Sequence, residues 1–218
     1  MAKKKSDSVL SDRRTSKVLW LDLETTGVHP DTCAIIQLAA IAEKNGEIID
    51  TKEILMRPFI GAEVTIKALE INKRSETEIY SYPSAEDGML DFMDFLNKHV
   101  DKYNPSDKFL LAGYNVKFDS EFLRHYFDYA ESSKYFGSYF FSPLLEIMTY
   151  VALTIKNKGL RLTNYKLGTV CKAFNIKFKA HDALADIMAT KELYTKLNDL
   201  LFFNENYSNE IEGETDGD

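Results

Sequence analysis

Apolar residues crowd the stretch Lys17-Val-Leu-Trp-Leu-Asp-Leu-Glu24, which stops at Thr25-Thr26-Gly27. A short, mostly apolar run closed by a turn signal predicts a buried strand. Ala34–Ala42 fits the helical and the extended period alike. The dipeptide Asn45-Gly46, followed by Ile48, Ile49 and the run Glu53–Met56, favours a hairpin there. Thr65–Asn72 and Ser75–Ser81 read as short helical pieces. Ser84 fits an N-cap with Asp87 three residues on, and Met89, Leu90, Phe92, Met93, Phe95 and Leu96 carry helical spacing to about Val100. Phe109–Ala112 predicts a short central strand ended by Gly113, Phe118–Ala130 a helix, and Tyr139–Phe141 a final strand. A helix is expected from about Leu144 to Ile155, with Pro143 before or at its first turn. Asn164–Phe174 and Asp182–Leu201 read as two further amphipathic helices. Three strands, helices, strand, helix, strand, helices is the order of an α/β domain, with a mixed sheet and helices on both faces.

Composition narrows the class. With 218 residues, 44 % of them apolar and 28 % charged, the chain is neither disordered, collagen-like nor a disulfide-stapled miniprotein. No apolar run approaches the roughly 18–20 residues of a spanning helix, so no membrane is expected. Cys33 and Cys171 lack CxxC spacing, and no signal peptide precedes them; they read as free thiols of a cytoplasmic protein.

The net charge of −7 is unevenly spread. Residues 1–17 carry +4, and residues 199–218 carry seven acids and no base. Three parts are therefore expected: a flexible basic arm at 1–16, one domain at 17–203, and a disordered acidic tail at 204–218. Residues 151–180 hold seven bases, Lys156, Lys158, Arg161, Lys166, Lys172, Lys177 and Lys179, and no acid. That window reads either as a cationic lip for a phosphate backbone or as a solvated helix face.

Three carboxylate segments resist a purely structural account. Asp22 interrupts a buried strand, where an unpaired carboxylate is costly. Glu24 follows two residues on, so alternation places both acids on one face. Like charges held together call for a cation, and oxygen-only ligands suit Mg²⁺ or Mn²⁺ rather than zinc. By itself Asp-x-Glu is a weak signal, and a strand end turning into solvent accounts for such a pair more often than a metal site does. Asp119, in Asn115-Val-Lys-Phe-Asp119, falls at the start of a helix, where the dipole alone would favour it. In His181-Asp-Ala-Leu-Ala-Asp186, Asp182 suits a helix N-cap, and Asp186 lies about one turn inside, on an otherwise apolar stretch.

Taken in order, these segments resemble the three motifs of the DnaQ-like, DEDDh-type 3′→5′ exonucleases. Asp22-Leu-Glu24-Thr-Thr-Gly27 is similar to motif I, Asn115-Val-Lys-Phe-Asp119-Ser-Glu-Phe-Leu123 to motif II, and His181-Asp-Ala-Leu-Ala-Asp186 to motif III. Ala68-Leu-Glu-Ile-Asn72 and Tyr165-Lys-Leu167 also resemble family stretches, so the similarity spans about residues 17–200. His181, five positions before Asp186, marks the histidine subtype, because the tyrosine subtype would need Tyr where Asp182 stands. The chain departs from the pattern at Tyr114 (often His), at Lys73 (often Gly), and at Ser142-Pro143-Leu144 (often Asp-Thr-Leu).

The resemblance implies an RNase H-like fold: a mixed five-stranded sheet of three antiparallel strands followed by two parallel ones. It implies two Mg²⁺ (or Mn²⁺) ions held by Asp22, Glu24, Asp119 and Asp186, with His181 as general base. Phe118 is placed to stack the terminal base against Leu69 and Asn72; Thr25 and Thr26 to offer backbone N–H groups or hydroxyls to the terminal sugar or phosphate; Asn115 to contact the substrate; and Lys156, Lys158, Arg161 and Lys166 to hold the strand upstream. The implied partner is the 3′ end of a single-stranded nucleic acid, DNA favoured over RNA, and by family analogy a DNA polymerase. The competing readings are a 3′→5′ exoribonuclease, similar to RNase T or oligoribonuclease, and a non-catalytic module that binds a polymerase or nucleic acid.

Overall fold

A computed structural model describes residues 16–129, 133–177 and 182–202. The terminal arm and acidic tail expected from the charge pattern, and His181, lie outside the described residues. Five strands form one sheet in the order β3-β2-β1-β4-β5: β1 (Lys17–Thr25), β2 (Ile35–Lys44), β3 (Glu47–Leu55), β4 (Phe109–Gly113) and β5 (Phe140–Glu146). β1–β2 and β2–β3 pair antiparallel, and β1–β4 and β4–β5 pair parallel. The fold is therefore the α/β, RNase H-like arrangement expected. Lys44 pairs with Glu47 across the two-residue loop Asn45-Gly46, and both loop residues have positive φ, 54° and 87°. That is the turn whose twist matches its flanking strands.

β1 lies between β2 and β4, so both of its edges are paired, and helices cover both of its faces. Leu19, Leu21 and Leu23 enter one core, with Leu38 and Ala40 of β2 and apolar side chains of α3 (Ala85–His99) and α4 (Val116–Tyr129). Val18 and Trp20 enter the other, with Ala39 and Ile41, α6 (Ile147–Lys158), α7 (Leu167–Ala173) and α8 (Ala183–Phe202). Strand alternation carries Asp22 and Glu24 onto this second face, beyond Trp20. Among the described residues, no helix is long and apolar enough to cross a membrane.

The smaller helices follow their caps. α1 (Ile66–Asn72) starts at Thr65, whose hydroxyl accepts from Ala68 N–H, and ends at Lys73 in the left-handed region, φ 55°. α2 (Glu76–Tyr80) begins with a reciprocal capping box between Ser75 and Glu78. Ser84 caps α3, as its spacing to Asp87 predicts.

The chain after Phe136 differs from expectation. A helix, α5 (Ser133–Tyr139), precedes β5, and β5 runs through Pro143 and Leu144 to Glu146. The following helix therefore starts at Ile147, not near Leu144. Phe109 pairs with Phe140 and Leu111 with Leu144, so β5 bulges between those pairs and Pro143 falls in the bulge of an edge strand. A proline lacking its N–H is tolerated there. α7 likewise begins only at Leu167, after an irregular stretch over 160–166.

Candidate active site

The site forms where β1 outruns β4. β4 stops at Gly113, and the chain turns immediately into α4. A Cβ at Gly113 would lie 2.7 Å from Leu21 O and 3.1 Å from Val116 Cβ, so only glycine allows this close crossing. The turn continues through Asn115 at φ 61°. Asp119 then falls in the first turn of α4, where its Oδ1 accepts from Leu23 N–H at 3.0 Å. From the other face, Asp186 stands in the first turn of α8.

Oxygens of Asp22, Glu24 and Asp186 lie within 4.8 Å of one another. All three residues are half-buried, whereas Asp119 is only 4 % exposed and stands outside that trio. The charges nevertheless interact. Asp22 is held well above the usual carboxylate range, by burial first and then by Asp119, Asp186 and Glu24. Burial and Asp186 push Glu24 up to about 7, against the opposing pull of Arg74. Burial raises Asp119 too, against the hydrogen bond from Leu23; Glu146 and Glu24 add to the rise. A divalent cation would reverse these shifts, and an all-carboxylate donor set fits a hard ion. The arrangement is a candidate metal centre.

The other expected site residues divide by how open they are. Leu69 is half-buried, and Asn72, one turn on in α1, donates from Nδ2 to Thr25 O at 2.9 Å. That bond ties α1 to the strand end bearing Glu24. Phe118 is half-buried, its ring centroid 4.9 Å from that of Phe122. Asn115, Lys156, Arg161 and Lys166 are exposed, and Lys158 is half-buried. The threonine side chains are engaged within the motif I turn. The Thr25 hydroxyl donates to Gly27 O at 2.6 Å. Thr26 is fully buried: its N–H donates to Ala34 O, and its hydroxyl donates to Glu63 O and accepts from Ala34 N–H. Its polar groups hold the motif I turn together.

Two residues that local pattern does not flag border the centre. Arg74 donates to Glu78 Oε1 at 2.5 Å and to Gln37 Oε1 at 3.4 Å, and Gln37 is the cross-strand partner of Glu24. Glu146 accepts from Asn115 N–H at 2.7 Å and from Met148 N–H at 3.1 Å, so one carboxylate orders the motif II turn and caps α6. The only sequence cue to Glu146 was an acid before an apolar run, masked by Pro143, which suggested an earlier helix start.

Comparison with known proteins agrees with this geometry. The RNase T exonuclease family matches residues 19–194. Ribonuclease T of Buchnera aphidicola subsp. Baizongia pistaciae is 25 % identical over 193 residues, covering 84 % of each chain. A PolC-type DNA polymerase III of Bacillus subtilis is 29 % identical over 183 residues, which is 81 % of this chain but 11 % of the polymerase. The corresponding Thermotoga maritima polymerase is 25 % identical over 182 residues, 83 % of this chain and 12 % of the relative, so this chain spans only about an eighth of such proteins. Among solved structures, E. coli exonuclease I in complex with a dT13 oligonucleotide superposes with a TM-score of 0.69 at 20 % identity, over 84 % of this chain and 41 % of that one. Since the family match runs from the first core strand to the middle of the last helix, this chain belongs to the DnaQ-like 3′→5′ exonuclease family.

Proposed function

We propose that this protein is a 3′→5′ exonuclease that removes nucleoside 5′-monophosphates from single-stranded DNA ends, with residues 17–203 as the catalytic unit and two Mg²⁺ or Mn²⁺ ions held by Asp22, Glu24, Asp119 and Asp186. The observation that carries this reading is the meeting of carboxylate oxygens from β1 and α8, 162 or more residues apart in the chain, within 4.8 Å. The bound ions supply charge neutralisation at the phosphoryl group and a water of lowered pKa.

The remaining work belongs to the side chains. Asp22, whose carboxylate interacts electrostatically with the other three acids, would serve as a ligand to both ions. Glu24 and Asp186, whose oxygens lie beside those of Asp22, would add their carboxylates to the metal centre, as would Asp119, oriented by Leu23 N–H. His181 accepts the proton of the attacking water, as an imidazole titrating near 6.5 can at neutral pH. Phe118 grips the terminal base against Leu69 and Asn72, the Thr25 backbone meets the terminal sugar or phosphate, and Asn115 contacts the substrate. The bases Lys156, Lys158, Arg161 and Lys166 hold the strand upstream, where stacking and phosphate contacts need no particular sequence.

A second reading, RNA as the substrate, draws on the Buchnera ribonuclease T, which matches over most of both chains where the polymerases match over a small part of theirs. Single-stranded DNA and RNA of one sequence, labelled at the 5′ end, discriminate. We expect shortening from the 3′ end with Mg²⁺, faster on DNA, and none with EDTA or after Asp22→Ala. Faster loss of RNA would favour the ribonuclease reading. Cleavage that survives EDTA would contradict the metal assignment, and strand binding without any cleavage would leave a binding module.

A further inference from the structure

Tyr114 stands between Gly113, which ends β4, and the left-handed Asn115. Its hydroxyl donates to the carbonyl oxygen of Tyr165 at 2.5 Å, across 51 residues of sequence. The acceptor belongs to the irregular segment 160–166, which leaves α6 through Gly159 at φ 68° and enters α7 at Leu167. Leu160, Leu162 and Leu167 of this stretch pack against the second core, as the Tyr114 ring does. Between them Arg161 and Lys166 are exposed, and Asn164 Oδ1 accepts from Lys166 N–H at 2.9 Å. The leucines therefore face inward and the two bases outward. Segments without their own ladder of backbone hydrogen bonds open readily, and a side-chain tether counts for more in them.

We propose that Tyr114 is a positioning residue: through Tyr165 it holds the basic segment around Arg161 and Lys166 beside the motif II turn, and so sets the grip on the strand upstream of the cleaved bond. The proposal rests on the exonuclease reading above. Burial raises the pKa of the phenol, so it remains a donor at neutral pH. On the opposite side, Glu146 takes the Asn115 N–H. The turn leading to Asp119 is thus fastened at two successive residues, and Tyr114 is the one that couples it to the cationic segment. Tyr114 itself touches no carboxylate of the metal centre by any hydrogen bond described above.

The test is Tyr114→Phe, which removes the hydroxyl and keeps the ring, with kcat and KM measured on a 12-nucleotide strand and on a dinucleotide of the same 3′ sequence. We expect KM on the 12-mer to rise about three- to tenfold, the equivalent of one hydrogen bond, with kcat unchanged and little effect on the dinucleotide. Neutralising Arg161 and Lys166 together should weaken 12-mer binding in the wild type, and by less once Tyr114 is Phe. A fall in kcat shared by both substrates, or an unmoved KM with additive losses, overturns the proposal. Wild-type protein that neither binds nor cleaves either strand overturns the exonuclease reading along with it, whereas an active wild type with an unmoved variant overturns the tether alone. Should Tyr114→Phe not fold, Arg161→Gln with Lys166→Gln, both surface changes, decides: a length-dependent rise in KM supports the positioned segment and its absence overturns it.

Discussion

Asp22, Glu24 and Asp186 are kept close at a cost that the metal-free protein bears alone. Glu24 titrates near 7 in the fold against an ordinary 4.5, so the folded state retains a proton that the unfolded chain releases. Folding stability from this group is therefore lost as pH rises from about 4.5 to about 7. Asp50 acts in the opposite sense: hydrogen bonds from Lys98 first and then His99 lower it to about 2, so its contribution is present above 3.8 and lost as pH falls toward 2. Thermal unfolding in EDTA should thus show a melting temperature that declines between about pH 5 and 7, and millimolar Mg²⁺ should remove the decline. A metal-free melting temperature that climbs over that range contradicts the assignment. At this scale the sequence was informative because an acid inside an apolar strand has few explanations. Thr26 was not legible, because hydrogen bonds to Ala34 and Glu63 depend on a turn that spacing does not reveal. Arg74 was invisible for a similar reason: its reach toward Glu24 exists only once β2 lies beside β1.

Among the elements, the junction of β4 and α4 decides where Asp119 lies. Gly113→Ala should cost about 1–3 kcal/mol in denaturant unfolding, because the new methyl meets Leu21 O and the neighbouring backbone must shift. Activity should fall further, by about 10²-fold in kcat, since a displacement near 1 Å at a reacting group is enough. A variant that loses stability but keeps full kcat would show that α4 does not position the chemistry. Periodicity and capping residues found β1, α3 and α8 nearly to the residue, and the Asn45-Gly46 turn signal found the β2–β3 hairpin where periodicity left Ala34–Ala42 open. The stretch from Ser133 to Glu146 misled because α5 is short and β5 bulges at an edge, so neither leaves a sustained period. Lys73 shows the reverse relation: it stands where relatives often carry Gly, and the structure explains that preference by its φ of 55° at the end of α1.

For the molecule as a whole, an acidic chain of net charge −7 must hold a polyanion, and the exposed bases Lys156, Arg161 and Lys166 lie on the helix α6–α7 side that also covers Trp20. Replacing these three with Gln should flatten the dependence of log K on log[salt] for single-stranded DNA by about 2, at roughly 0.7 per phosphate contact, in anisotropy titrations with EDTA. An unchanged slope would mean that the strand runs elsewhere. Architecture was legible because each acid-bearing motif falls at a boundary between elements, and the order of elements admitted few sheets. What pattern could not supply was distance, since the acids of β1 and α8 meet only in three dimensions. The most direct test of that meeting is a Mn²⁺ titration followed by electron paramagnetic resonance, in the presence of a nucleoside 5′-monophosphate. Two ions bound per wild-type chain, and neither held tightly by Asp22→Asn, is the expected result. A wild-type chain that binds none, or an Asp22→Asn chain that binds both as well as the wild type, would contradict it.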